Sequence, residues 1–262
     1  KYTQKATDSL GIVTQAKDVR QRSLTYHSDG TITYYAFDSS IPVSLSCSQT
    51  QWNTEQAYLL CIKDLNSDEL YPIADCGLPE GLYCTPPENA VYILRFLTEQ
   101  GRMSKEYFLD ASQKICVNTD GVAGLEYVCN SDGQITSQYF LDEDGNRISV
   151  NTVFQISYRY NNLGQIVSLS FWNSEASAVN GMNGWTRLEC DYDTNHNLIS
   201  QCIYAIIDTK IQEIFRCKMV YENGLLCLTT YHNVDDELDD SYLGYASYVR
   251  SYEKGFLVLE EY

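Results

Sequence analysis

No proline follows position 87 in this 262-residue chain; all five lie at 42, 72, 79, 86 and 87. Proline cannot donate to a central β-ladder, so the chain after residue 90 is free to pair as sheet, whereas regular sheet is not expected through 38–90. Histidine is scarce, with residues only at 27, 196 and 232. No His-Glu-x-x-His helix, no Gly-x-Ser-x-Gly elbow and no glycine loop opening a helix is present, so the chemistries those motifs carry are not expected. His27 and His196 fall inside expected turns and His232 just after Tyr231, which suits solvated roles. Basic residues are few: 18 Lys and Arg against 35 Asp and Glu, a formal net charge of −17. Neutralising phosphates needs the opposite balance, so neither nucleic acid nor an anionic membrane is an expected partner. No apolar run approaches the roughly 20 residues of a membrane-spanning helix. The chain starts on Lys1 without a charged-then-apolar leader, and is read as a mature or trimmed chain that leaves room for a lipid anchor upstream.

Ten cysteines are present, none in a Cys-x-x-Cys pair. That spacing speaks against a zinc ribbon or a thioredoxin-type site. An even number permits disulfides in an exported protein. Cys190 between Leu188 and Tyr192, and Cys217 between Phe215 and Met219, stand where a free thiol packs as a small hydrophobe. Tyrosine is plentiful: 22 residues against 8 Phe and 3 Trp. It suits half-buried strands, and it also suits binding surfaces.

Phe154, Ile156, Tyr158 and Tyr160 alternate with Gln155, Ser157, Arg159 and Asn161, the period of a strand with one apolar face. Asn161, Asn162 and Gly164 tolerate positive φ, and an apolar run returns over Ile166–Trp172, completing a β-hairpin. The outline recurs at Phe96…Gly101-Arg-Met103, Tyr127-Val-Cys129…Gly133-Gln-Ile135, Tyr192…Asn197-Leu198, Tyr221…Gly224-Leu-Leu226 and Tyr252…Gly255-Phe-Leu257. Turn positions 101, 133, 164, 197, 224 and 255 are therefore spaced by 32, 31, 33, 27 and 31. A second landmark follows each turn: Tyr107-Phe108, Tyr139-Phe140, Phe171-Trp172, Tyr204, Tyr231 and Tyr262. Self-similarity of this kind marks a stacked array of one supersecondary unit. Further turns at Asp142–Asn146 and Asn180–Gly184 make each unit two strands and two turns.

The expected fold is all-β, an antiparallel meander of repeated β-hairpins forming an open twisted sheet array, with an irregular Pro/Cys-containing N-terminal region. Residues 1–37 read as a leading segment and first hairpin (Tyr26–Ile32, returning through Phe37). Residues 38–90 read as an irregular insertion or cap, with one strand over Tyr58–Ile62 and loops at 75–81 and 84–88. Residues 91–262 read as the array of about six units.

Tyr160-Asn-Asn-Leu-Gly164-Gln-Ile166 and Tyr192-Asp193-Thr-Asn-His-Asn197-Leu198 resemble the tyrosine-aspartate (YD) repeat of the RHS family. The chain also resembles tyrosine-rich β-repeat lipoproteins of gut bacteria. The resemblance spans about 91–262 and implies a bacterial, exported, non-catalytic β-array; the first functional expectation is an interaction surface or spacer at the cell surface or envelope. The Asp of the motif is often Asn, Glu or absent here, and no toxin or self-cleaving segment is read within these 262 residues.

Asp142-x-Asp144-Gly145-Asn146 begins like a calcium loop but lacks the third oxygen ligand and the bidentate Glu, so an Asp-Gly turn is expected. Asp235–Asp240 reads as a solvated acidic loop. No cofactor or metal is expected. The best binding candidates are Tyr139, Trp172, Tyr204 and Tyr231, which could line up across neighbouring units and stack against a glycan or meet a protein partner. The alternative is that these rings are the sheet's own cross-strand packing. A carboxylate-based glycoside hydrolase is a third reading. It needs 38–90 to fold over the sheet and bring two carboxyls across a cleft.

Overall fold

A computed structural model describes residues 21–26, 32–37, 42–64, 70, 85–181, 184–240 and 244–261. Every regular element among them is a β-strand, and the strands pair antiparallel with their neighbours in the chain. In order they are β1 (Gln21–Tyr26), β2 (Ile32–Phe37), β3 (Pro42–Trp52), β4 (Glu55–Asp64), β5 (Tyr92–Leu97), β6 (Met103–Leu109), β7 (Gly124–Cys129), β8 (Ile135–Leu141) and β9 (Arg147–Ile148). There follow β10 (Gln155–Tyr160), β11 (Ile166–Trp172), β12 (Arg187–Tyr192), β13 (Leu198–Ile207), β14 (Lys210–Glu222), β15 (Leu225–His232), β16 (Ser247–Glu253) and β17 (Phe256–Glu261).

The hairpin expected at 26–37 is present as β1–β2. Its turn, with His27, lies outside the described residues, as do the loop at 75–81 and Tyr262. The expectation of irregular chain through 38–90 is corrected for 42–64. There β3 and β4 pair without interruption from Val43↔Asp64 to Trp52↔Glu55. Pro42 is the first residue of β3, where the missing N–H costs no interior bond. Asn53 and Thr54 both take positive φ (47° and 74°), the geometry of a tight two-residue hairpin turn. Pro86 and Pro87 lie outside any strand.

The chain divides into two compact units: residues up to Gly133 with Tyr139–Ile148, and Gln134–Gln138 with Ser149–Tyr262. In the first, β4 pairs on through β5 and β6 to β7. Its core gathers Ala57, Leu94, Phe96 and Leu109, with Trp52, Leu59, Tyr92, Tyr107 and Ile115 packed around them. Glu106, paired with Arg95 on the other face of these strands, is also buried; its Oε1 accepts from Arg95 Nε at 2.5 Å and its Oε2 from the Tyr127 hydroxyl at 3.1 Å. A buried carboxylate persists only when so paired. In the second unit, β10 to β17 pair in sequence, and Ile156, Leu169, Phe171, Cys190 and Cys217 are buried. Cys116, Cys129, Cys190, Cys202, Cys217 and Cys227 are free thiols.

The recurring motif has a recurring geometry. In five hairpins the ladder slips at the motif aromatic: at Arg159/Tyr160, Asp191/Tyr192, Val220/Tyr221 and Ser251/Tyr252, and at Phe96/Leu97 in the first unit. A bulge there tightens the twist of each strand pair. At the turns an Asn or Asp side chain replaces backbone partners. Asn161 Oδ1 accepts from the N–H groups of Leu163 and Gln165, and Asp193 Oδ1 from those of Asn195 and Asn197. The left-handed residue is Gly164 (φ 81°) in one turn and His196 (φ 69°) in the next, so His196, one residue before Asn197, occupies the glycine position.

Candidate functional site

Tyrosine hydroxyls link successive hairpins. Tyr160 donates to the carbonyl of Ile135 at 2.8 Å, Tyr192 to Ile166 at 2.9 Å and Tyr252 to Leu226 at 2.9 Å, all within the second unit. In the first unit Cys129 occupies the tyrosine's place, and its Sγ reaches the Met103 carbonyl at 3.6 Å. Each bond joins the aromatic end of one hairpin to the Ile, Leu or Met that follows the preceding turn. The polar residue after the turn glycine makes a second link. Gln165 Nε2 donates to His196 O at 2.9 Å, and Arg102 donates to the carbonyls of Asn130 and Ser131.

The four candidate rings are placed differently from one another. Tyr139 belongs to the first unit, and the Arg147 guanidinium lies over its ring at 3.7 Å from the centroid. Arg147 also holds Glu126 by two hydrogen bonds, at 2.7 and 3.0 Å. That contact keeps the Glu126 carboxyl below its ordinary pKa.

Trp172 and Tyr204 share one face of the second unit. Register places Ser157 opposite Ser170, Ser170 opposite Arg187, and Arg187 opposite Tyr204, and paired residues point to the same side. Trp172, two residues past Ser170, joins that side, with its indole N–H on Ser157 Oγ at 2.7 Å. The Arg187 guanidinium lies 4.3 Å from the Tyr204 ring centroid, and its Nε stands 3.2 Å from Glu189 Oε1. Burial first, and then the Glu189 charge, push the Tyr204 hydroxyl up to about 12.

Tyr231 lies on the opposite face. It pairs with Cys217, and Cys217 with Gln201, which stands three residues before Tyr204 on β13 and so faces the other way. Its ring stacks on Phe215 at 5.7 Å and meets Tyr245 at 5.8 Å edge-on. The structure therefore places Trp172 and Tyr204 on one face of the second unit and Tyr231 on the other.

The acidic stretches serve turns. Asp142 Oδ1 accepts from the N–H groups of Asp144 and Asn146, as a turn demands. Asn233 does the same for Asp235 and Glu237, while Asp236 pairs with Lys218 Nζ at 2.6 Å. Among the described residues no three His, Cys, Asp or Glu side chains gather as a metal site requires. No described helix is long and apolar enough to cross a membrane.

Arg147 and Arg187, the partners of Tyr139 and Tyr204, were not singled out by sequence. Their signal is cross-strand register, which emerges only once bulges are placed.

No family model matches the chain, and no curated protein matches it. Among solved structures, TcdB2-TccC3-TEV is similar over 87% of this chain and 10% of that one, at TM-score 0.39 and 10% identity. A porin-like protein from Bacteroides uniformis ATCC 8492 is similar over 87% of this chain and 91% of that one, at TM-score 0.31 and 11% identity. The chain thus spans about a tenth of the first.

Proposed function

We propose that the chain is a non-catalytic, exported bacterial β-repeat protein of YD-repeat type, acting as an interaction surface or spacer at the cell envelope. The observation that supports this reading is the use made of the motif residues. The hydroxyls of Tyr160, Tyr192 and Tyr252 are spent on the carbonyl of the preceding repeat, so the recurring sequence encodes stacking. Nearest-neighbour stacking of this kind builds extended surfaces suited to holding partners. Protease shaving of intact cells of the source bacterium tests the location. Digestion without lysis is the expected result, and full protection in a cytosolic fraction would overturn the reading.

A glycan-binding role is the second reading, favoured by one observation. Trp172 is half-exposed, its indole held by Ser157, on the face it shares with Tyr204. A fixed ring packs well against the apolar face of a sugar. Glycan-array binding lost in the Trp172→Ala/Tyr204→Ala variant, with the fold intact, would establish that role; an unchanged blank array would dismiss it.

A further inference from the structure

Among the described residues, Tyr139, Tyr204 and Tyr248 each carry an arginine on the ring. Arg147, Arg187 and Arg250 stand 3.7, 4.3 and 4.8 Å from the respective centroids. Two of these guanidiniums also donate to a carboxylate. Arg147 holds Glu126 at 2.7 and 3.0 Å, and Arg250 Nε donates to Glu260 at 2.8 Å. Arg187 departs from the pattern. Its Nε is buried and donates to no acceptor among the described residues; Glu189 Oε1 stands 3.2 Å away, off the line of the N–H. Arg187 thus has the ring of the pattern and lacks its hydrogen-bonded carboxylate. Its side chain is 35% exposed, so a ligand can reach it.

We propose that the ligand supplies that carboxylate: an acidic sugar, bound on the face that Trp172 shares with Arg187 and Tyr204. The proposal rests on the glycan reading of this face and names its substrate class. Ser170 is the centre of the site. It pairs with Ser157 on one side and with Arg187 on the other, and Trp172 follows it along β11 on the same side. The two small serines leave a low floor between the indole, held at Ser157 Oγ, and the guanidinium, held on Tyr204. A sugar ring packed on the indole turns its carboxylate toward Arg187, whose planar fork matches two carboxylate oxygens. Stacking on Tyr204 fixes that fork in advance, which lowers the ordering cost of binding.

Charge sets the size of the ligand. Arg159 shares this side through its pairing with Ser168 and that of Ser168 with Glu189, and it offsets the Glu189 charge. The patch formed by Arg159, Arg187 and Glu189 is therefore not acidic. The chain as a whole, at −17, repels a long polyanion. A single or terminal acidic sugar fits both facts.

The test is a glycan array printed with uronic-acid- and sialic-acid-terminated glycans, their methyl esters and the matching neutral glycans, probed with the 262-residue chain. The carboxylate forms should bind at least about tenfold more tightly than their esters and neutral counterparts, a comparison that needs no variant. Arg187→Gln should remove that preference, and Arg187→Lys, which keeps the charge without the fork, should reduce it, with far-UV circular dichroism unchanged. Equal binding of acid, ester and neutral forms, lost in Trp172→Ala/Tyr204→Ala, would overturn the acidic-sugar assignment and leave the glycan reading standing. Carboxylate-selective binding untouched by Arg187→Gln would overturn it too, by placing recognition elsewhere. An array blank for all three forms would dismiss both.

Discussion

The hydroxyl of Tyr160 donates to the backbone carbonyl of Ile135, 25 residues earlier, and Tyr192 reaches Ile166 across 26. Two residue types that recur in the sequence as separate landmarks are thus bonded to one another, one repeat apart. Removing the hydroxyl tests the bond. Tyr160→Phe and Tyr252→Phe should each lower the unfolding free energy by about 1 kcal/mol in urea titration. Tyr221, at the equivalent place, makes no such bond among the described residues, and Tyr221→Phe should be near neutral. Equal losses at all three would detach the stabilisation from the carbonyl contact.

Gly124 sits where β7 crosses closest to β6. A Cβ there would lie 2.1 Å from the Glu106 carbonyl oxygen, a backbone atom that cannot step aside alone. Gly124→Ala should cost roughly 1–3 kcal/mol or more, measured by thermal or urea unfolding. A wild-type midpoint in this variant would mean that the two strands are not so close.

Tyr204 is the pH-sensitive member of its face. Its hydroxyl is pushed from 10.0 up to about 12, chiefly by burial and then by Glu189. Below pH 10 both folded and unfolded chains keep the proton and the contribution is whole. Between 10 and 12 the unfolded chain releases it first, so stability falls as pH rises. Comparing unfolding midpoints of wild type and Tyr204→Phe from pH 8 to 12 should show a gap that narrows with pH in the wild type's disfavour. Parallel curves would refute the shift.

Burial pushes the thiol of Cys217 up to about 11. The thiolate is the reactive form, so this residue should alkylate with iodoacetamide at pH 8 only as the chain unfolds. Cys227, half-buried near the surface of β15, should react earlier. Mass spectrometry of the labelled peptides reads the order; prompt labelling of Cys217 in the native protein would contradict its packing.

The all-β class and the hairpin positions were legible because Gly101, Gly133, Gly164, Gly224 and Gly255 mark the turns, all with positive φ. The longer return loops were less visible because Gln113, Ala176 and Asp236, none of them glycine, take the left-handed position there. Their unity lies in the backbone. Phe108, Phe171 and Tyr231 each donate to the far side of a loop, at Ala123, Thr186 and Ala246, and accept from Cys116, Val179 and Asp239. The short spacing between turns 197 and 224 has a cause in the same terms. There the long return is replaced by a two-residue turn at Asp208 and Thr209, with φ of 48° and 68°. The aromatic row was misjudged because bulges change which face a residue takes. Each shifts the side-chain alternation by one, and no composition pattern reveals that.

The measurement that bears most directly on the central reading is binding of the fluorescently labelled chain to an envelope fraction of the source bacterium, titrated to saturation. An interaction surface predicts saturable binding that unlabelled protein competes away and that leaves the envelope components chemically unchanged. Linear, uncompeted uptake, or turnover of an envelope component on mixing, would contradict it.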